Sequence, residues 1–160
     1  MCIRDRVKIE GGAPQLETVR HLTARAVPVC GHLGLMPQSI HQLGAYRVQG
    51  RGDHEGERIL KDAVGLQKAG AQMLVLECVP ALLAAEITRA LDIPVIGIGA
   101  GVDVDGQVLV LHDMLGITMH GTPSFVRDFL AEEGTVAAAL SAYVHAVRAE
   151  TFPAEEHTFT

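Results

Sequence analysis

The apolar residues of this chain fall into short continuous runs that alternate with longer stretches of helical periodicity. Each run is apolar throughout rather than at every second position, which is typical of parallel strands buried on both faces. The runs lie at residues 7–10, 27–32, 72–78, 93–101 and 107–113. We therefore expect five parallel strands joined by helical crossovers, the pattern of an α/β fold.

Five stretches with helical periodicity stand between or after these runs. They lie at residues 14–26, 55–70, 80–92, 123–134 and 135–150. Pro14 and Pro80 open two of them at a first-turn position, where the missing N–H costs no hydrogen bond. The last stretch carries an apolar stripe, which indicates that this helix packs against a neighbour. The stripe consists of Val136, Leu140, Tyr143, Val144 and Val147.

One connection is too long to be a simple turn. Residues 34–56 are rich in glycine and polar side chains, the profile of a functional loop or lid. The Arg-Gly-Asp tripeptide at residues 51–53 is interpreted as a coincidence of composition. No low-complexity linker divides the chain, so its 160 residues are expected to form one domain.

Composition excludes several classes of function. The net charge is −6 and only 4% of residues are aromatic, which disfavours nucleic-acid binding. The three cysteines form no CxxC pair and two lie in apolar runs, which favours a reduced, cytoplasmic protein. No apolar stretch reaches bilayer length and no signal-peptide pattern is visible, so we expect no membrane association.

Polar side chains mark the ends of the predicted strands, and in parallel α/β folds the active site gathers at the carboxyl ends of the strands. The candidates are Lys8, Glu10, His32, Glu77, His112 and Asp113. Lys8 and Glu10 are two residues apart and therefore share one face of their strand.

Glu77 is the sharpest candidate, because a carboxylate at the end of an apolar strand is costly unless it is paired, metal-bound or protonated. Such burial is how enzymes tune a carboxyl group into a general base. The alternative is a structural glutamate in a salt bridge or helix cap. Lys8 and Glu10 could likewise form an inward ion pair, although Gly11 and Gly12 would let a bound group approach Glu10, a hard oxygen ligand. His32 on its own is more typical of a structural histidine. The glycines at 97–101 lack the spacing of a dinucleotide site and favour a tight turn, with a phosphate cradle as the alternative.

Taken together, seven stretches closely resemble the ketopantoate hydroxymethyltransferase family, in the family's order and from Val7 nearly to the end. They are VKIEGG, AVPVCGHLGLMPQS, YRVQGRGD, AGAQMLVLECVP, IPVIGIGAG, LVLHDMLGI and PAEEHTF. The resemblance implies a TIM-barrel fold and the transfer of a hydroxymethyl group from 5,10-methylenetetrahydrofolate to 3-methyl-2-oxobutanoate. It also implies Mg²⁺, which would stabilise an enolate of the oxo acid.

The resemblance assigns a role to each central residue. Glu77 falls on the family's proposed base, which removes the C3 proton, and Glu10 falls on a carboxylate of the metal site. Lys8 and His32 fall on positions that contact the oxo acid or its product. The family also implies a homo-oligomer.

The chain departs from the family at its amino end. VKIEGG resembles the fourth strand of the barrel, so this chain would hold about the last five strands, at residues 7–160. Residues 1–6 match nothing in the family and are interpreted as a non-native scar. One carboxylate makes a poor Mg²⁺ site, and a five-stranded remnant exposes two sheet edges. We therefore expect the isolated chain to be inactive.

Two other readings stay open at this point. The chain could be another metal-dependent enzyme that makes or breaks C–C bonds, of the phosphoenolpyruvate and isocitrate lyase type, which should not consume tetrahydrofolate. Alternatively, it could be a non-catalytic fragment that uses its open edges to complete itself against a second polypeptide.

Overall fold

The computed structural model describes residues 6–39, 47–119 and 121–160. Within them the chain forms a five-stranded parallel sheet in the order β1-β2-β3-β4-β5. The strands are β1 (Val7–Glu10), β2 (Val29–Gly34), β3 (Met73–Glu77), β4 (Val95–Ile98) and β5 (Gly106–Gln107). The predicted α/β class is confirmed.

The strand order is sequential, because each strand lies beside the one before it in the chain. Doubly wound folds reverse direction at a switch point, whereas barrels add each strand to the same side. The sheet is therefore compatible with part of a barrel, and its closure into a barrel remains a prediction.

Six α-helices accompany the sheet in the described residues. They are α1 (Leu16–Thr23), α2 (Asp53–Lys68), α3 (Ala81–Ala90), α4 (Leu111–Met114), α5 (Phe129–Glu133) and α6 (Val136–Arg148). The first three follow the predicted helices closely. The predicted helix at 123–134 is wrong before Phe129, because Asp128 caps α5 by accepting a hydrogen bond from the amide of Ala131.

The main core lies between one face of the sheet and helices α1 to α3. Leu74 and Leu76 of β3 are buried there, together with Leu66 of α2 and Ile87 of α3. Since side chains alternate along a strand, the intervening residues of the strands point to the opposite face. That opposite face carries the polar candidates of β1, β2 and β3.

The predicted strand at residues 107–113 is wrong beyond Gln107. The amide of Val108 still bonds the carbonyl of Gly97, but β4 ends at Ile98 and a glycine turn follows. The next residues of the run therefore have no strand to pair with, and they enter α4 at Leu111 instead.

A second core holds the carboxyl-terminal part of the chain together. Phe129, Tyr143 and Phe152 pack edge to face there, with ring centroids 5.5–5.9 Å apart. The predicted stripe on α6 only partly faces this core. Tyr143 and Val147 pack against it, and the buried small residues of the helix are Ala139 and Ala146.

The other three members of the stripe are incompletely covered in the described residues, since Val136, Leu140 and Val144 are 39–50% exposed. The helix is rotated so that alanines approach the aromatic cluster closely.

No helix among the described residues is long and apolar enough to cross a membrane. The interpretation of residues 1–6 falls outside the described part of the chain except for Arg6. The loop predicted at 34–56 is described only at its two ends, and its second end runs into α2 at Asp53.

Candidate active site

Four of the sequence candidates come together on the sheet face opposite the main core. The register pairs Glu10 of β1 with His32 of β2, and it pairs Gly34 with Glu77 of β3. Lys8 lies one pleat below Glu10 on the same face. Three neighbouring strands thus bring an ammonium group, an imidazole and two carboxylates to one place.

His32 lies at the centre of this cluster and is completely buried. Its Nδ1 lies 3.5 Å from Nζ of Lys8 and 3.4 Å from Oε1 of Glu10. Its Nε2 lies 3.1 Å from Oε2 of Glu77. The two carboxylates therefore approach different nitrogens of one ring, and their side chains are only 10% and 16% exposed.

The contact between His32 and Glu77 is close but not aligned as a hydrogen bond. Although 3.1 Å separates Nε2 from the carboxylate oxygen, Nε2 has no hydrogen-bond partner among the described residues. The two atoms are therefore close without being hydrogen-bonded, and Nε2 can still bond to another group. A buried nitrogen without a partner is rare in folded proteins, and it is a common sign of a bound ligand or a catalytic role.

The backbone around Glu77 is held from both sides. Its carbonyl accepts a 2.7 Å hydrogen bond from the amide of Leu35, and the amide of Cys78 donates to the carbonyl of Ile98. Cys78 has φ of +50°, a left-handed conformation that is strained for a residue with a side chain. No local pattern predicts this turn, because Cys78 continues the apolar run at residues 72–78.

Gln49 is a further residue that pattern reasoning did not single out. Gln49 is buried, and its backbone amide donates to the carbonyl of Cys78. Its side-chain Nε2 donates to the carbonyl of Arg47. Gln49 therefore ties the end of the long 34–56 connection to the turn that follows Glu77. The only indication in the sequence is that Gln49 lies in YRVQGRGD, one of the stretches that resemble the family.

Glu10 is engaged by the protein through both of its oxygens. Oε2 accepts a 3.4 Å hydrogen bond from the amide of Gln38, and Oε1 faces Lys8 at 3.9 Å as well as His32. The 3₁₀ turn Pro37–Ser39 thus closes over the end of β1.

The described residues do not fit a complete Mg²⁺ site. Residues 6–39, 47–119 and 121–160 contain no group of three or more His, Cys, Asp or Glu side chains that could hold a metal ion. Mg²⁺ needs octahedral oxygen ligation, whereas Glu10 offers one carboxylate that already has protein partners. Glu10 as a metal ligand therefore remains a prediction.

The two cysteines near the cluster are free and buried, and neither is suited to nucleophilic chemistry. Burial and then the neighbouring Glu77 carboxylate raise the pKa of Cys78 to about 12. Burial also raises the pKa of Cys30, against a lowering influence from Arg6 and Lys8. Burial therefore disfavours the thiolate form of both cysteines near neutral pH.

His112 and Asp113 do not join the cluster. Both lie in α4 rather than at a strand end, where Asp113 accepts a hydrogen bond from the hydroxyl of Thr118. No hydrogen bond or ion pair in the described residues links either of them to Lys8 or Glu77. The prediction that they lie at the end of a strand is wrong, because β5 stops at Gln107 and the chain then enters α4.

The carboxyl-terminal tail packs at the same edge of the sheet as the cluster. The carbonyl of Phe159 accepts a 3.0 Å hydrogen bond from the amide of Ala81, at the start of the helix that follows Glu77. The Phe159 ring lies against Gly99, in the turn after β4, and meets Phe125 edge to face at 6.2 Å. The tail therefore forms part of the wall around the strand ends.

Known proteins resemble this chain along nearly its whole length. A model of the ketopantoate hydroxymethyltransferase family matches residues 3–155. The 3-methyl-2-oxobutanoate hydroxymethyltransferase of Edwardsiella ictaluri is 61% identical over 153 residues, which cover 96% of this chain. The protein of the same name from Escherichia fergusonii is 60% identical over the same length.

The match is extensive on this chain but partial on its relatives. The 153 matched residues make up 58% of the length of each of these two relatives. The comparison does not favour the rival lyase-type reading, because the matching family and both relatives are described as hydroxymethyltransferases. On this evidence the chain belongs to the ketopantoate hydroxymethyltransferase family.

Proposed function

We propose that this chain carries the proton-abstracting part of a hydroxymethyltransferase active site. The reaction converts 3-methyl-2-oxobutanoate, 5,10-methylenetetrahydrofolate and water into 2-dehydropantoate and tetrahydrofolate. One observation carries the proposal, namely that the Glu77 carboxylate lies 3.1 Å from a buried histidine nitrogen that has no hydrogen-bond partner among the described residues. A carboxylate beside a ring nitrogen without another partner can handle the proton and the oxygen of one carbonyl compound.

Glu77 is the base in this proposal. It takes the proton from C3 of the oxo acid, and the electron pair of that C–H bond forms an enolate. The enolate carbon then bonds to the one-carbon unit that folate carries.

Lys8 and His32 would hold the oxygen atoms of the oxo acid. The Lys8 side chain is 52% exposed, so its ammonium group can reach both the ring of His32 and a bound anion. An ammonium group and an imidazole N–H are both hydrogen-bond donors, which suits the negative charge that develops on the enolate oxygen. Mg²⁺ would add charge stabilisation, although the described residues do not supply a complete set of ligands for it.

The isolated chain is proposed to be inactive and to need further segments that complete the site. In the described part of the chain no strand lies on the outer side of β1, and Val7 of β1 is 37% exposed. An open edge of this kind can accept another strand. Completion by a second polypeptide and assembly into a homo-oligomer both belong to this proposal.

A complementation assay tests both parts. The purified 160-residue chain is incubated with the two substrates and Mg²⁺, alone and with a polypeptide that comprises the unmatched part of the E. ictaluri relative, whose full-length form is the positive control. We expect 2-dehydropantoate and tetrahydrofolate only in the mixture. Robust turnover by the chain alone would refute the proposed inactivity, and consumption of 3-methyl-2-oxobutanoate without tetrahydrofolate release would instead favour the lyase-type reading.

A further inference from the structure

One histidine of the carboxyl-terminal tail lies outside the cluster and closes a turn through its side chain. His157 ends the 3₁₀ turn Glu155–His157, in the stretch PAEEHTF, and its partly buried ring lies 5.2 Å from the ring of Phe152. Its Nδ1 accepts a 3.2 Å hydrogen bond from the backbone amide of Ala154, the residue before the turn. Among the described residues this ring makes no other hydrogen bond and no ion pair.

This hydrogen bond fixes the protonation of the ring, because its donor is a backbone amide. An amide N–H can only donate, so Nδ1 must accept through its lone pair. A neutral imidazole that accepts at Nδ1 carries its proton on Nε2, whereas an imidazolium ion has a proton on both nitrogens and accepts at neither. The bond from Ala154 to His157 therefore exists only while the ring is neutral.

The backbone of Ala154 is bonded to the turn through its carbonyl as well as its amide. That carbonyl accepts hydrogen bonds from the His157 amide at 3.0 Å and from the Thr158 hydroxyl at 2.9 Å. The side chain of His157 therefore completes a closed set of bonds around one residue, and the direction in which the chain leaves the turn depends on that set.

The residues that follow the turn reach the strand ends. The carbonyl of Phe159 accepts from the amide of Ala81, at the start of the helix after the proposed base. The carbonyl of Thr160 accepts a 3.1 Å hydrogen bond from Nε of Arg51, just before α2. His157 thus lies at the root of the segment that walls the candidate site.

We propose that His157 is a positioning residue, a proton-sensitive latch that holds this segment on the strand ends while its ring is neutral. Uptake of a proton between about pH 8 and pH 5, the range in which histidine titrates, replaces the acceptor at Nδ1 by a second N–H. The amide of Ala154 then loses its partner, and the turn and the residues after it loosen. Any effect on substrate access rests on the proposed function, whereas the latch itself does not.

The charged groups near this ring are mostly acidic. Glu155 and Glu156 belong to the same turn, and Glu132 of α5 lies close enough for an electrostatic interaction. A hydrogen bond from Arg127 holds the pKa of Glu132 below its usual range, and the charge of His157 acts in the same direction. Glu132 therefore stays ionised while histidine titrates, so acidification changes the charge of the ring and not that of this neighbour.

NMR spectra of the uniformly labelled 160-residue chain, without substrate, test the latch. At pH 8 we expect long-range ¹H–¹⁵N correlations to show that Nε2 of His157 is protonated and Nδ1 is not. Solvent exchange of the Ala154 amide is then followed down to pH 5 in this chain and in His157→Asn. The asparagine Oδ1 can take the place of Nδ1 as acceptor, and it does not titrate.

The ratio of the two exchange rates removes the intrinsic effect of pH on amide exchange. We expect the rate at Ala154, relative to His157→Asn, to rise roughly 2–10-fold as the ring is protonated, which corresponds to the net free energy of one hydrogen bond. The Ala81 amide, which reports the tail through Phe159, should follow the same titration. His157→Ala, which has no acceptor, should show the faster exchange at Ala154 at every pH.

His21→Asn is the matched control, because it removes a histidine from an exposed position of α1. It should leave the pH dependence of exchange at Ala154 unchanged. A proton on Nδ1 at pH 8, or a constant rate ratio at Ala154 across the titration, would overturn the latch. A constant ratio at Ala81 would overturn the positioning of the tail. None of these measurements needs turnover, so failure of the proposed function would be recognised separately.

Discussion

The carbonyl oxygen of Glu77 packs directly against Gly34, at the point where a side chain on residue 34 would stand. Gly34 has φ of +91°, and the next residue, Leu35, donates its amide to the same carbonyl at 2.7 Å. The end of β2 thus fixes the backbone of the proposed base. The backbone position of Glu77 therefore requires glycine at residue 34 of the neighbouring strand.

Gly34→Ala is expected to destabilise the chain, because its Cβ would overlap the Glu77 carbonyl and its φ would be strained. Strain of this kind costs about 1–3 kcal/mol, and the overlap adds to it. Urea unfolding measures the loss. Gly56→Ala is the control, since its Cβ would meet neighbours at 3.5 Å or more and alanine favours a helix. Equal stability of the two variants would show that the packing at Gly34 is unimportant.

Glu77→Gln is expected to abolish turnover without unfolding the chain. The amide keeps the shape of the side chain but cannot take the C3 proton, and loss of a general base lowers a rate roughly 10²–10⁴-fold. Turnover is measured in the complemented mixture, and thermal unfolding on the chain alone. Glu86→Gln, at an exposed position of α3, is the control and should keep full turnover. A Glu77→Gln mixture with normal kcat would exclude Glu77 as the base.

Cys78 is expected to make stability fall at high pH. Its pKa is about 12 in the folded chain, mainly because of burial, against an ordinary value of 9.0. The folded state therefore favours the neutral thiol, and the resulting stabilisation is complete below pH 9 and lost as the pH rises toward 12. The slope is about 1.4 kcal/mol per pH unit.

Comparison with Cys78→Ala isolates this contribution, since other groups titrate in the same range in both proteins. The difference in free energy of unfolding between the two should change above pH 9 and stay constant below it. Native Cys78 should also resist iodoacetamide near neutral pH and react once urea unfolds the chain, as mass spectrometry would detect. Rapid labelling of the native thiol would contradict the buried, neutral state.

Phe159→Ala is expected to loosen the tail and expose the start of α3. The ring packs on Gly99 and Phe125, so its removal should cost about 1–3 kcal/mol. Hydrogen exchange at the Ala81 amide, which donates to the Phe159 carbonyl, reports the change directly. Thr160→Ala removes only an exposed side chain and should leave that exchange rate unaltered. Unchanged protection in Phe159→Ala would mean that the tail is not held by its ring.

Much of the site could be predicted from strand ends alone. Continuous apolar runs locate buried parallel strands, and a polar residue at the end of such a run has few structural explanations. Lys8, Glu10, His32 and Glu77 were found in this way, and the structure brings all four together. The same rule was wrong for His112 and Asp113, because an apolar run becomes a strand only where a partner backbone continues beside it.

Local pattern therefore determined the class of fold, the positions of β1 to β4 and the identity of the central residues. Only the tertiary structure decided that His32 is buried between two carboxylates, that β5 stops at Gln107, and that α6 turns its alanines to the core. The physical reason is that periodicity reports which residues avoid water, whereas strand pairing and side-chain contact depend on what lies across the sheet. The packing of Glu77 on Gly34 joins residues 43 positions apart in the chain, and no local pattern records it.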